Sequence, residues 1–372
     1  MGLIAVKVKK MGAYFGSTGG GKRIFRRLPG RIIWRMPFRF QIARLAGPAY
    51  TLRCVLFHDI ADQTCEFTEG LNVTLGTTDF ESRIKFLSKH YSPMGLQDFI
   101  DAFRQNALPS RPALITFDDA YASVALRAAP ILRKYRVPAV FFVVSSVVGN
   151  EDLGLDNLIC YVANRAGLKI VNSAAFEAVG HRGQACKSLE QVFDHLLPAM
   201  SQKEIRKFRE ALATSAGIRT SGLARQARLY ITAEQLRSLA SDGFEIENHT
   251  LSHVFCRSLV SSEFSEEIFV NKARLESITG RRVRAFSVPY GSPLDLTKEL
   301  ATYLHDSGHE AIFLARSRSN TPATGLSCLN RIDVHAGSDG DAFGEIEIYP
   351  RLRSLADLLI PKNWFVEKPV GK

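Results

Sequence analysis

Three short polar clusters stand at the ends of apolar runs: Thr116-Phe117-Asp118-Asp119, His249-Thr250-Leu251-Ser252-His253 and Pro289-Tyr290-Gly291. Adjacent carboxylates repel each other unless a cation or a proton sits between them. One aspartate can therefore bind an ion while the other, as general base, takes a proton from metal-bound water. His249 and His253 are four residues apart, so a helical turn would put both imidazoles on one face, where they could grip the same metal. Two histidines and one carboxylate leave coordination positions open for water and substrate, the layout of a hydrolytic rather than a structural site. Alone, each cluster has a plainer explanation: the Asp pair could serve the helix starting near Ser123, and the histidines could be core or surface residues.

Convergence separates these explanations. From residue 51 the chain alternates short apolar runs with amphipathic stretches, the signature of βα units and a largely parallel sheet. Strands are expected at 52–57, 113–117, 139–144, 244–247, 283–288, 311–315 and 329–334, with helices between them. The C-terminal ends of parallel strands share one face, so all three clusters can meet there. Residues from about 150 to 230 carry helical patterns and no clear strand, which reads as a helical insertion. Thr232 with Gln235 forms a capping box where the alternation resumes, and Gly243 closes that helix.

Thr116 to Tyr121 and His249 to His253 together resemble the first two motifs of the polysaccharide deacetylases, the nodulation-protein-B-like group of carbohydrate esterase family four that includes chitooligosaccharide deacetylases. Phe286 to Gly291 resembles the third motif, and the likeness runs from about residue 52 to 335. The resemblance implies an α/β fold, an irregular (β/α) barrel of about seven strands with a helical insertion. It also implies metal-dependent hydrolysis of an N-acetyl amide on an amino sugar, oligosaccharide or glycan, releasing acetate. Asp118 would be the catalytic base, and Asp119, His249 and His253 would hold a divalent ion, zinc by the resemblance. Pro289 and Tyr290 would form the oxyanion corner, with the Tyr290 backbone N–H as donor.

Two departures accompany the likeness. Ala120 stands where the family usually has glycine, and Ser287 and Val288 occupy the stretch that often carries an arginine to hold the base; Arg284 is the nearest substitute. The family's late histidine, the general acid, is assigned to His335, with His309 and His305 as rivals. Other readings of the same barrel are an amidase for a small non-sugar amide and a noncatalytic glycan-binding or membrane-scaffold protein.

Eleven of the 48 Lys and Arg residues lie in residues 1–50 with no acid among them, so the remaining 37 balance the 37 acids. A neutral body gives no reason to expect nucleic acid. Residues 1–50 are expected to be a basic segment, disordered or lying on an anionic membrane surface, with Pro29 and Pro37 limiting any helix there to short pieces. Within it, Gly16 to Lys22 matches part of a phosphate-binding loop, but Arg23 stands where Ser or Thr is needed. Residues 51–345 would form the deacetylase-like domain and 346–372 a tail. The scattered cysteines, and the lack of a signal peptide or transmembrane run, lead us to expect a cytoplasmic protein, peripheral at the inner membrane face.

Overall fold

The computed structural model describes residues 20–45, 52–180, 185–321 and 324–359, with side chains at 20–25 and 358–359 excepted. Its centre is a parallel sheet of β1 (Arg53–Phe57), β2 (Pro112–Phe117), β3 (Val140–Val143), β4 (Glu245–Asn248), β5 (Ala285–Ser287), β6 (Ala311–Leu314) and an interrupted β7. In β7, Leu329–Asn330 pairs with β6 and Ile332–Asp333 pairs with β1, so one extended segment joins both edges of the sheet. The sheet is thereby a nearly closed barrel of seven strands, or eight if the halves of β7 are counted apart.

The strands are short and apolar because both faces are covered, by the barrel interior and by surrounding helices. Alternate residues divide accordingly. Cys54, Leu114, Phe142, Ala285, Phe313 and Leu329 form one cluster, while Val55, Phe57, Ile115, Phe117 and Phe141 belong to another. The first cluster draws on six of the seven strands and is the barrel interior. Leu96, Phe99 and Ile100 of the helix Leu96–Arg104 join it. The Glu245 carboxylate, at the start of β4, accepts from the Gln97 N–H at 2.8 Å and caps that helix. Helix Leu96–Arg104 thus fills the N-terminal end of the barrel and leaves the C-terminal end for chemistry.

Between β3 and β4 the chain forms the helices Leu155–Ala166, Leu168–Val179, Gln202–Ser215 and Thr220–Ala227, the helical insertion. Asn157 pins it to the barrel, donating to the Phe67 carbonyl at 2.9 Å and meeting Tyr121 Oη at 3.0 Å. The capping box at Thr232 is present, with Thr232 Oγ1 accepting from Gln235 N at 3.2 Å.

Part of the basic N-terminal segment is folded against the body of the protein. Residues 1–19, including most of the phosphate-loop-like stretch, lie outside the described residues. Gly20–Trp34 and Arg39–Arg44 are helices, the first running through Pro29. Tertiary contacts override the proline. Gly30 packs against Gly344 so closely that a Cβ on Gly30 would fall 2.2 Å from the Gly344 Cα. Arg27 pairs with the buried Glu345 at 2.8 Å and Arg31 with the buried Asp341 at 2.6 Å. Trp34 and Phe40 both pack on Phe343. Residues 339–359, in the expected tail and just before it, are helical and form the other half of this contact. Among the described residues, no helix is long and apolar enough to cross a membrane.

Gly30→Val should force the two helices apart. Overpacking of a tight contact costs roughly 1–3 kcal/mol, so thermal unfolding should show a Tm lower by several degrees, whereas Gly325→Ala, at an open surface position with ordinary backbone, should produce a much smaller change.

Candidate active site

Asp118 and Asp119 follow β2, His249 follows β4, and Pro289 to Gly291 follow β5, so the three clusters meet at the C-terminal end of the barrel as anticipated. Asp119, His249 and His253 each point a ligand atom inward, all within 4.8 Å of one another. Nε2 of His249 lies 3.7 Å from Asp119 Oδ1, and Nε2 of His253 lies 3.5 Å from the same oxygen. The second nitrogens are engaged elsewhere: His249 Nδ1 meets the Ser287 carbonyl at 2.8 Å and His253 Nδ1 meets Asp156 Oδ2 at 2.9 Å. Such partners orient the rings and leave both Nε2 atoms facing the carboxylate. This donor set fits a divalent ion of the zinc type.

The electrostatics agree with that fit. Burial pushes the His249 pKa down, with Asp118 opposing, to about 4. Burial would lower His253 as well, but Asp156 and Asp119 outweigh it and bring its pKa up to about 9. The carboxylates therefore draw positive charge into this corner.

The expected helical turn between the histidines is absent. His249 to His253 form a loop in which Thr250 (φ 64°) and His253 (φ 58°) take the left-handed conformation. Hydrogen bonds hold it there: Thr250 N to Asn248 Oδ1 at 3.0 Å, His253 N to Thr250 Oγ1 at 2.9 Å, and Ser252 Oγ to Glu267 Oε1 at 2.7 Å. The four-residue spacing joins the rings by this route instead. Ala120 causes no conflict, because the positive φ of that turn falls on Asp119 (φ 80°).

Asp118 is held by an arginine that the sequence reading did not single out. Arg331, the residue between the two halves of β7, is fully buried and donates from Nη1 to Asp118 Oδ1 and from Nη2 to Oδ2, both at 2.6 Å. Ser287 Oγ stands 3.2 Å from the same carboxylate and accepts from Arg331 Nη2 at 2.7 Å. Burial raises the Asp118 pKa, but Arg331 more than cancels this and holds the carboxyl well below the usual range. Arg284, the expected substitute, pairs with Glu310 at 3.3 Å and stays away from Asp118. It sits before β5, at the opposite end from the chemistry.

Tyr290 (φ 58°) turns back over the site, its hydroxyl donating to Asp156 Oδ1 at 2.8 Å and its ring stacked on Phe255 at 3.6 Å. Pro289 has no N–H to offer and fixes the φ of this turn. Asp156, on the insertion, was also missed by the sequence reading, since nothing local in 150–230 marks it.

A cleft of about 780 Å³ opens over these residues. The stretch from His58 to Gly76 lines one part of it, and Leu155, Asp156, Glu190 and Phe193 of the insertion line another. His335 borders the cleft with its ring 3.3 Å from Glu345. His309 does not: it is buried behind the histidine loop, its Nε2 3.2 Å from Asn248 Nδ2. His305 is exposed beside Asp306. His58, which ends β1, lines the cleft and lies close enough to Asp118 to favour its ionised form.

Comparison with known proteins gives the same picture. Residues 105–311 match the polysaccharide deacetylase family model, a span that contains Asp118, Asp119, His249, His253 and Tyr290. The poly-beta-1,6-N-acetyl-D-glucosamine N-deacetylase of Staphylococcus aureus is 34% identical over 82 residues, 22% of this chain and 28% of that protein. Its Staphylococcus epidermidis counterpart is 29% identical over 89 residues, 24% of this chain and 31% of that protein. The chain thus spans about three tenths of the length of these relatives. The Streptococcus pyogenes deacetylase PplD, solved in complex with acetate, shares the fold with a TM-score of 0.54 and 16% identity, over 81% of this chain and 99% of that one. With more than half of its length matching the family model and the motif residues gathered at one barrel end, the chain belongs to the polysaccharide deacetylase family.

Proposed function

We propose that this protein hydrolyses the acetamido group of an N-acetylamino sugar in an oligosaccharide or glycan, releasing acetate and leaving the free amine. The observation that carries this reading is the Asp119, His249 and His253 set with Asp118 beside it, its Oδ2 3.6 Å from His249 Nε2. A divalent ion held by those three residues would polarise the acetyl carbonyl and ease deprotonation of the attacking water.

The chain's own groups supply the rest. Asp118, kept ionised by Arg331, accepts the proton as the water oxygen bonds to the carbonyl carbon. The Tyr290 N–H donates to the oxyanion, a charge that develops only on the way to the transition state. His335, braced by Glu345 at the cleft edge, gives a proton to the departing nitrogen as the C–N bond breaks. The names of the Staphylococcus relatives favour an N-acetylglucosamine polymer as substrate class, and the insertion walls the cleft where further sugar rings would extend.

The cellular setting is part of the proposal. All six cysteines are free thiols, which suits a reducing cytoplasm. The basic segment 1–50 favours a position at the inner, anionic face of the membrane.

Acetate release from chitooligosaccharides should require added zinc after chelation and should fall by at least about a hundredfold in Asp118→Asn and His253→Ala. No release with any metal, from folded protein, would leave the small-amide and noncatalytic readings.

Arg331→Met tests how the base is held. Since Asp118 is depressed in the folded protein, its ionised form persists as the pH falls. Without Arg331, burial has only the weaker influence of His249 and His58 against it and the pKa rises, so the acid limb of kcat/KM should move to higher pH, with a loss of roughly 10–100-fold at neutrality. An unmoved limb would separate Arg331 from the base.

For the acid, His335→Ala should lower kcat by roughly 10²–10⁴ while leaving zinc affinity unchanged. If His58→Ala produces that loss and His335→Ala does not, the role passes to His58.

A further inference from the structure

We infer that the outward face of helix Gly20–Trp34, continued through the turn into Arg39–Arg44, is a docking surface for an anionic lipid bilayer. This deepens the membrane position proposed above by assigning it to a folded surface rather than a free tail.

The inward side of the helix is accounted for by Arg27, Gly30, Arg31 and Trp34, all against residues 340–345 and Phe86. Among the described residues, the outward side carries apolar residues with no comparable cover. Leu28 and Ile32 lie one helical turn apart and are 51% and 52% exposed; Phe38, in the following turn, is 73% exposed and Leu45 is 87% exposed. A folded chain seldom leaves such a run in water unless something covers it. Leu352 and Leu355 of the helix Tyr349–Leu359, whose Tyr349 ring lies under Arg26 at 4.8 Å, are exposed as well.

Charge selects the occupant. Arg35 and Arg44 are exposed among these apolar side chains, and residues 1–50 contain no acid. A second copy of the chain would set the same bases against themselves, because a two-fold contact pairs like with like. An anionic leaflet satisfies both features, with apolar side chains entering the headgroup boundary and arginines meeting phosphate. At 15 residues, with charges on both sides, the helix suits an in-plane rather than a spanning position. The helix also connects the surface to the chemistry. Arg26, on its inner flank, lines the catalytic cleft, so docking would bring the cleft mouth beside the membrane.

The test uses the full chain with vesicles of phosphatidylcholine alone or with roughly 30% phosphatidylglycerol, comparing wild type with the double variant Ile32→Glu, Phe38→Glu. We expect at least about tenfold stronger binding to the anionic vesicles and at least about tenfold loss in the variant. Tm and acetate release from a soluble chitooligosaccharide should not change. Absence of binding, or equal binding to both vesicles, overturns the proposal. So does a lower Tm in the variant, which would show that the face is packed within the chain, or a wild-type dimer that the variant dissociates. Vesicle binding and acetate release are read separately, so failure of one leaves the other standing.

Discussion

The buried pair between Asp118 and Arg331 ties the barrel to its chemistry. A carboxylate and a guanidinium taken out of water lose several kcal/mol of solvation each, which only near-ideal geometry offsets. Both parallel hydrogen bonds are present, and Ser287 Oγ takes a further Nη2 contact. The geometry exists only if β7 closes the sheet, because Arg331 is the residue at which β7 passes from β6 to β1. Closure and the setting of Asp118, the base in the mechanism we propose, are therefore one event: a barrel that opened at β7 would strand a buried carboxylate.

The metal corner rests on a second constraint, stored in the backbone. Asp119, Thr250, His253 and Tyr290 all have positive φ, a conformation that costs non-glycine residues on the order of 1 kcal/mol or more each. It persists because the surroundings over-determine it. Asn248 alone accepts from Thr250 N and Asn271 Nδ2 and donates to the Ile268 carbonyl. Gly291 completes the corner, since a Cβ there would fall 2.0 Å from the Ala315 nitrogen. Rigid placement of this kind leaves little reorganisation to the moment of reaction.

What could be read from the sequence followed the reach of the signals. Apolar runs ending in Asp118-Asp119, His249 and Pro289-Tyr290 are local features, and they located both the strands and the chemistry. Arg331 is equally local in appearance, but its role depends on which strands flank β7, so the search for a base-holding arginine went to Arg284 near the third motif. Asp156 was hidden because its function comes from the packing of the insertion against His253. The packing of the N-terminal helix was hidden for the same reason. Its arginines were counted without the acids that neutralise two of them, Asp341 and Glu345, which lie more than 300 residues away in the chain.

Asp156 shows how the insertion can act on more than substrate shape. One carboxylate receives the Tyr290 hydroxyl on one oxygen and meets His253 Nδ1 with the other, so the third motif, a metal-ligand candidate and the helix Leu155–Ala166 share a single anchor. Asn157, the next residue, fixes that helix to Phe67 and Tyr121 on the barrel side. A shift of the helix by even an ångström would therefore turn the His253 ring and move Tyr290 with it. Since the same helix lines the cleft, a glycan pressing on the insertion bears directly on the residues that hold the reacting centre, and fit at the wall and alignment at the metal corner become mechanically linked.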